Sequence, residues 1–143
     1  MKRDYLYGAY GSNLNAQQMR VRCPDAQMVG KMKLKGWRLV FKGVADIVPD
    51  RDAEVEIGLW SITDRCELAL DRYEGYPSLY TKLWIPSEHG EVMLYTMSDG
   101  YSVRPPIDTY LQTIAQGYFA FGLDNECLKE ALKASYVDEG LSL

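Results

Sequence analysis

The chain has 143 residues, 47% of them hydrophobic and 25% charged, with 16 Lys plus Arg against 20 Asp plus Glu for a net charge of −4. This length suits one domain over residues 1–143, and the composition excludes wholesale disorder. The acidic balance excludes nucleic acid as the main partner, and no apolar run approaches the roughly 18 residues of a membrane span.

Taken in chain order, Tyr5 to Tyr10 is predicted as a first strand, rich in aromatics. Gly11-Ser12-Asn13-Leu14 breaks it, and Asn13 or Asn15 caps a short helix that stops at Cys23-Pro24. Met28 to Phe41 is strand-like with a break at Gly36, and Val55 to Ile62 alternates as a half-buried strand does. Thr63-Asp64 opens a helix through Cys66, Leu68, Ala69, Leu70 and Tyr73 that ends at Glu74-Gly75. Tyr80 to Pro86 and Glu91 to Met97 form a hairpin around His89-Gly90. Ile107, Leu111, Ile114, Ala115 and Tyr118 recur at helical spacing up to about Gly122. Within that stretch, Tyr118-Phe119-Ala120-Phe121 is either core or the face of a homodimer. Asp124 caps a last helix carrying Leu128, Ala131, Leu132 and Ser135. Strands come first, with helices between and after them, an α+β order rather than βαβ winding.

The residue inventory narrows the chemistry. Met1-Lys2-Arg3-Asp4 leads into a tyrosine-rich segment rather than a signal-peptide core. Cys23, Cys66 and Cys127 lack a Cys-x-x-Cys spacing, which points to reduced thiols in a cytoplasmic protein. The single histidine, His89, sits in a turn-like stretch, so neither a Ser/His or Cys/His nucleophile nor most zinc sites have their base or ligand. Acid–base work is left to carboxylates, lysines and the eleven tyrosines.

Two glycine-flanked segments stand out. At Tyr10-Gly11-Ser12-Asn13-Leu14 consecutive N–H groups can converge on a carboxylate or an oxyanion; an ordinary Gly-Ser-Asn turn with Asn13 as cap has the same pattern. Ser12 is not bracketed as Gly-x-Ser-x-Gly, and a serine hydrolase built on it needs His89. In Asp71-Arg72-Tyr73-Glu74-Gly75-Tyr76-Pro77, Glu74 falls at a helix C-terminus among Tyr73, Tyr76 and Tyr80. The helix dipole and partial desolvation both raise its pKa and suit a general base, whereas a glutamate at a fraying helix end needs no function. Asp71 pairs with Arg72 or Lys82. Periodicity does not bring the two segments together.

Together, Tyr10-Gly11-Ser12-Asn13-Leu14 and Leu70-Asp71-x-Tyr73-Glu74-Gly75-x-Pro77-x-x-Tyr80 resemble the gamma-glutamylcyclotransferase family and its AIG2-like relatives. Arg22-Cys23-Pro24, Leu34-x-Gly36-x-Arg38-Leu39-x-Phe41, Val55-x-x-Gly58-x-Trp60, Pro105-Pro106-x-x-x-Tyr110 and Gly117-Tyr118 extend the likeness over residues 5–135. The resemblance implies a small mixed β-barrel with flanking helices. It implies an enzyme that makes 5-oxoproline from a small γ-glutamyl compound by attack of the substrate's own α-amine, with no metal and no cofactor. It makes Glu74 the acid–base residue and Tyr10, Gly11, Ser12, Asn13, Leu14, Tyr80 and Tyr110 the substrate-binding set, with Tyr110 or Tyr118 aiming a hydroxyl at the carboxylate. Lys82, where many relatives carry Arg, and Asp46, where a small or amide residue is expected, are departures that alter the choice of γ-glutamyl compound. A non-catalytic carboxylate-binding protein with the same pocket is the alternative.

Overall fold

Residues Val55–Ile62 are buried without interruption, not on alternate positions, because the strand they belong to lies inside the sheet and is covered on both faces. The computed structural model describes residues 1–141. Its elements are β1 (Lys2–Ala9), a single 3-10 turn (Ser12–Leu14), α1 (Ala16–Arg22), β2 (Gln27–Lys42), β3 (Val44–Thr63), α2 (Asp64–Glu74), β4 (Tyr80–Ser87), β5 (Gly90–Met97), α3 (Asp108–Phe121) and α4 (Glu126–Leu141). The sheet order is β2-β3-β1-β5-β4, antiparallel except for the β1–β5 pair. Strands β2 and β4 are its two edges, so the expected barrel is an open mixed sheet. Among the described residues no helix is long and apolar enough to cross a membrane.

The β2–β3 hairpin has two arms. Lys35 pairs with Glu54 but Trp37 pairs with Pro49, so residues 50–53 of β3 lie opposite Gly36 alone, whose φ is +88°. The distal arm includes Val44–Pro49, a stretch with no strand signature in the sequence because Asp46, Pro49 and Asp50-Arg51-Asp52 interrupt any apolar alternation. This arm becomes one wall of the site. Asn15 caps α1 by accepting from the N–H groups of Gln17 and Gln18, and Thr63 caps α2 by accepting from Cys66. Asp124 accepts the Glu126 N–H and opens α4. The helix caps at Gly75 and Gly122 have φ of +65° and +66°, the left-handed conformation that favours glycine.

Leu14 anchors the turn after β1. It is fully buried, and two glycines make room for it. A Cβ at Gly58 would lie 2.6 Å from Leu14 Cδ2, and one at Gly117 would lie 2.4 Å from Leu14 Cβ and 2.6 Å from its carbonyl carbon. Helix α3 therefore touches the turn backbone directly. Gly117→Ala is expected to destabilise the fold by about 1–3 kcal/mol, because the clash outweighs the gain in helix propensity. Equilibrium urea unfolding checks this, and unchanged stability would show that the close approach is not required. The aromatic run in α3 divides: Tyr118 and Phe121 are core, whereas Phe119 is 90% exposed.

Candidate active site

Two hollows differ in what they expose. One, of about 480 Å³, lies between the β2–β3 hairpin and α4 and is rich in carboxylates. Several of those carboxylates have structural work: Asp50 pairs with Arg38, Glu54 with Lys33, and Glu56 accepts the Asp124 N–H. The other, of about 230 Å³, joins the two segments singled out in the sequence. The end of β1 and its turn give Tyr7, Tyr10, Gly11, Ser12 and Asn13; the distal hairpin arm gives Val44 and Ala45. The end of α2 gives Tyr73 and Glu74, the approach to β4 gives Leu79 and Tyr80, and α3 gives Tyr110. A catalytic base with anion-binding donors needs this second lining.

Glu74 is the last residue of α2, and it carries the only carboxyl among the cavity's lining residues. Burial pushes its pKa up to about 7, against the partial opposition of the Arg22 guanidinium. Desolvation is thus the cause, as expected for a carboxyl among tyrosines. Asn13 connects these groups. Its Oδ1 accepts from Arg22 Nη1 at 2.6 Å, which leaves Nδ2 to donate to Tyr7 Oη at 2.9 Å and to Glu74 Oε1 at 3.4 Å. Trp60 Nε1 donates to the Asn13 carbonyl at 2.9 Å, and Arg22 lies 3.5 Å above the Tyr73 ring.

The backbone of the turn offers donors. Leu14 N–H bonds to the Gly11 carbonyl at 3.0 Å, closing the 3-10 turn. The N–H groups of Gly11, Ser12 and Asn13 have no acceptor among the described residues. Gly11 itself is packed tightly: a Cβ there would lie 3.2 Å from Ala45 Cβ and 3.4 Å from Tyr110 Oη.

The tyrosines fall into two groups. Tyr10 donates to the Tyr95 carbonyl at 2.6 Å and Tyr80 to the Ala45 carbonyl at 2.8 Å, so both hold the walls together. Tyr110 instead accepts from the Ala45 N–H at 3.0 Å and keeps its own proton available. Tyr7 likewise accepts, from Asn13. Tyr73 and Ser12 share a hydrogen bond at 3.1 Å.

Of the residues picked from sequence, Glu74, Tyr10, Gly11, Ser12, Asn13, Tyr80 and Tyr110 meet around the cavity. Leu14 does not: its side chain is core and its N–H is used within the turn. Tyr118 is also elsewhere, bonded to Cys127 Sγ at 3.1 Å, and Tyr76 packs against Tyr95 and Lys82. Lys82 is outside the lining, paired with Glu67 at 2.6 Å and with Asp71 at 3.2 Å, so Asp71 uses Lys82 and not Arg72. Asp46 is 2% exposed and faces Lys42 and the Met97 N–H, not the cavity. His89 is exposed at the β4–β5 turn, and Ser12's hydroxyl partner is Tyr73, which leaves Ser12 without a base. The sequence reading missed Tyr7, Val44, Ala45 and Leu79. The signal for Tyr7 was its place in the Tyr-x-Tyr-Gly-Ala-Tyr run leading into the turn.

Comparison with known proteins shows the family. The family described as "Gamma-glutamyl cyclotransferase, AIG2-like" matches residues 7–119. The gamma-glutamylcyclotransferase of Mus musculus is 28% identical over 91% of this chain and 78% of its own length, and that of Homo sapiens is 27% identical over 93% and 79%. A solved gamma-glutamyl cyclotransferase structure superposes with a TM-score of 0.77 at 27% identity, over 91% of this chain and 86% of that one. The chain belongs to the gamma-glutamyl cyclotransferase, AIG2-like family and is an enzyme of the cyclotransferase type.

Proposed function

We propose that this enzyme converts a small γ-glutamyl compound into 5-oxoproline and a free amine or amino acid, with Glu74 moving the protons. The observation that carries the reading is a desolvated carboxyl in the same small cavity as the free N–H groups of Gly11, Ser12 and Asn13. The substrate's α-carboxylate is repelled by Glu74 and goes to the far side, where those N–H groups and the Tyr110 hydroxyl can donate to it. That places the α-ammonium beside Glu74. The ammonium is a weaker acid than a carboxyl of pKa about 7, so the transfer is uphill, but less so than to a carboxylate of ordinary pKa.

The steps balance without a nucleophile from the protein. Glu74 takes a proton from the α-ammonium, and the amine attacks the γ-carbonyl carbon, pushing the π electrons onto oxygen. When that pair returns, the bond to the departing nitrogen breaks and Glu74 gives that nitrogen its proton. Glu74 then removes the second proton from the ring nitrogen, leaving the lactam N–H, and passes it to the released amine. Holding amine and carbonyl in contact supplies much of the acceleration, since ring closure gains most from orientation.

Release of 5-oxoproline from a panel of γ-glutamyl amino acids and γ-glutamylamines tests the reading, and no turnover of any member would reject it. The pH dependence is a sharper expectation. The base acts ionised, so kcat/KM should fall about tenfold per pH unit below about 7. An acid limb near the ordinary glutamate value of 4.5 would mean that another group, or an exposed carboxylate, is the base.

A further inference from the structure

Tyr7 is 4% exposed, lines the cavity, and was not among the residues carried from the sequence. Its hydroxyl oxygen accepts from Asn13 Nδ2, and the direction of that bond is fixed because Arg22 Nη1 holds the other end of the amide at 2.6 Å. With a lone pair engaged, the phenol's proton has to go elsewhere, and no acceptor for it exists among the described residues. The other strongly buried tyrosines differ. Tyr10, Tyr80 and Tyr95 donate to a carbonyl or carboxylate at 2.6–2.8 Å, and Tyr118 has Cys127 Sγ at 3.1 Å. A buried O–H with no acceptor is costly, on the order of 1–3 kcal/mol, and such a cost is expected where a ligand completes the bond.

The neighbourhood decides what the ligand offers. Tyr7 and Glu74 share the Asn13 amide, so the Tyr7 hydroxyl is beside the Glu74 carboxyl, whereas the Tyr110 hydroxyl is held beside Gly11 and Ala45. A substrate carboxylate is repelled from the Glu74 side. The γ-carbonyl has to come there, because the amine that Glu74 deprotonates attacks that carbon. We infer that Tyr7 is a second catalytic residue, whose hydroxyl donates a hydrogen bond to the γ-carbonyl oxygen as it becomes an oxyanion, under the cyclisation reading proposed above. No proton is transferred: as the nitrogen–carbon bond forms, the π pair moves onto oxygen, the O–H stabilises it there, and the pair returns when the departing nitrogen leaves. Burial and the nearby Glu74 charge hold the phenol well above its ordinary pKa, so it remains a neutral donor throughout. Arg22 and the side-chain amide of Asn13 are positioning groups in this scheme. They aim the phenol without touching the substrate.

The test compares wild type, Tyr7→Phe and Glu74→Gln on the γ-glutamyl compound turned over fastest, with thermal unfolding followed on each. Tyr7→Phe retains the ring that packs edge-on against Tyr95, and it should lose on the order of 100- to 1,000-fold in kcat with KM within threefold. A kcat within twofold of wild type overturns the role of Tyr7 and leaves Glu74's role standing. A rise in KM at unchanged kcat also overturns it, because that pattern marks ground-state binding. Wild type without turnover on any compound overturns the cyclisation reading and the Tyr7 role with it. If Tyr7→Phe unfolds, 3-fluorotyrosine at position 7 retains the hydroxyl and makes it a stronger donor. A raised kcat at constant KM then supports the role, and an unchanged kcat overturns it.

Discussion

Glu74→Gln is expected to lose about 100- to 10,000-fold in kcat while remaining folded, because the amide fills the same space but accepts no proton at neutral pH. The same substitution should stabilise the fold in alkaline solution. Glu74's folded-state pKa, about 7, lies above the ordinary carboxylate value of 4.5. Between those values the folded protein retains a proton that the unfolded chain has released. Stability is therefore lost as pH rises from about 4.5, with the loss complete above about 7. The glutamine avoids that cost, so Glu74→Gln should exceed wild type by up to about 3 kcal/mol at pH 8 and equal it near pH 4. Urea unfolding at the two pH values, run alongside 5-oxoproline assays, reads both effects. Retained activity removes Glu74 from the mechanism. Equal stability at pH 8 shows that its carboxyl is solvated.

Asp46→Ala is expected to cost about 3–5 kcal/mol of stability, a large share of the 5–15 kcal/mol typical of a domain. One Asp46 oxygen accepts from Lys42 Nζ at 2.7 Å and the other from the Met97 N–H at 2.9 Å, so one side chain ties the distal hairpin arm to the end of β5. Removing it leaves the Lys42 ammonium, whose side chain is 14% exposed, without its partner, and it orphans a backbone donor. The effect extends to the site. Ala45, next in the chain, holds the hydroxyls of Tyr80 and Tyr110 through its carbonyl and N–H. A shifted arm should therefore raise KM as well as lower stability. Asp46→Asn can still accept from Met97 and should lose less than alanine does. A loss under about 1 kcal/mol for alanine would show that the pair contributes little beyond its own desolvation cost.

The sequence made some of this legible because local rules and tertiary need coincided. Thr63, Gly75 and Asn15 are helix caps whatever the rest of the chain does, so α1 and α2 could be read in place. Gly75 also fixed Glu74 as a last helical residue, the position that brings it to the cavity. The distal arm was illegible because its Asp46 is buried by a partner that no local pattern reveals, Lys42 across a turn and Met97 from a strand far along the chain. Leu14 misled for a related reason. It belongs to the glycine-rich motif, but Gly58 and Gly117, distant in sequence, leave room for it in the core and not in the cavity. Tyr7 was hidden among eleven tyrosines, and only the direction of its hydrogen bond separates it from those that hold the walls together.

Oxygen and nitrogen labels together test whether the substrate closes on itself. A γ-glutamyl substrate carrying ¹⁵N at its α-amine, turned over in H₂¹⁸O, should give 5-oxoproline with all of the ¹⁵N in its ring and no ¹⁸O. Release of glutamate with ¹⁸O in its γ-carboxylate would mean that water, not the substrate's amine, attacks the carbonyl, and would contradict the account.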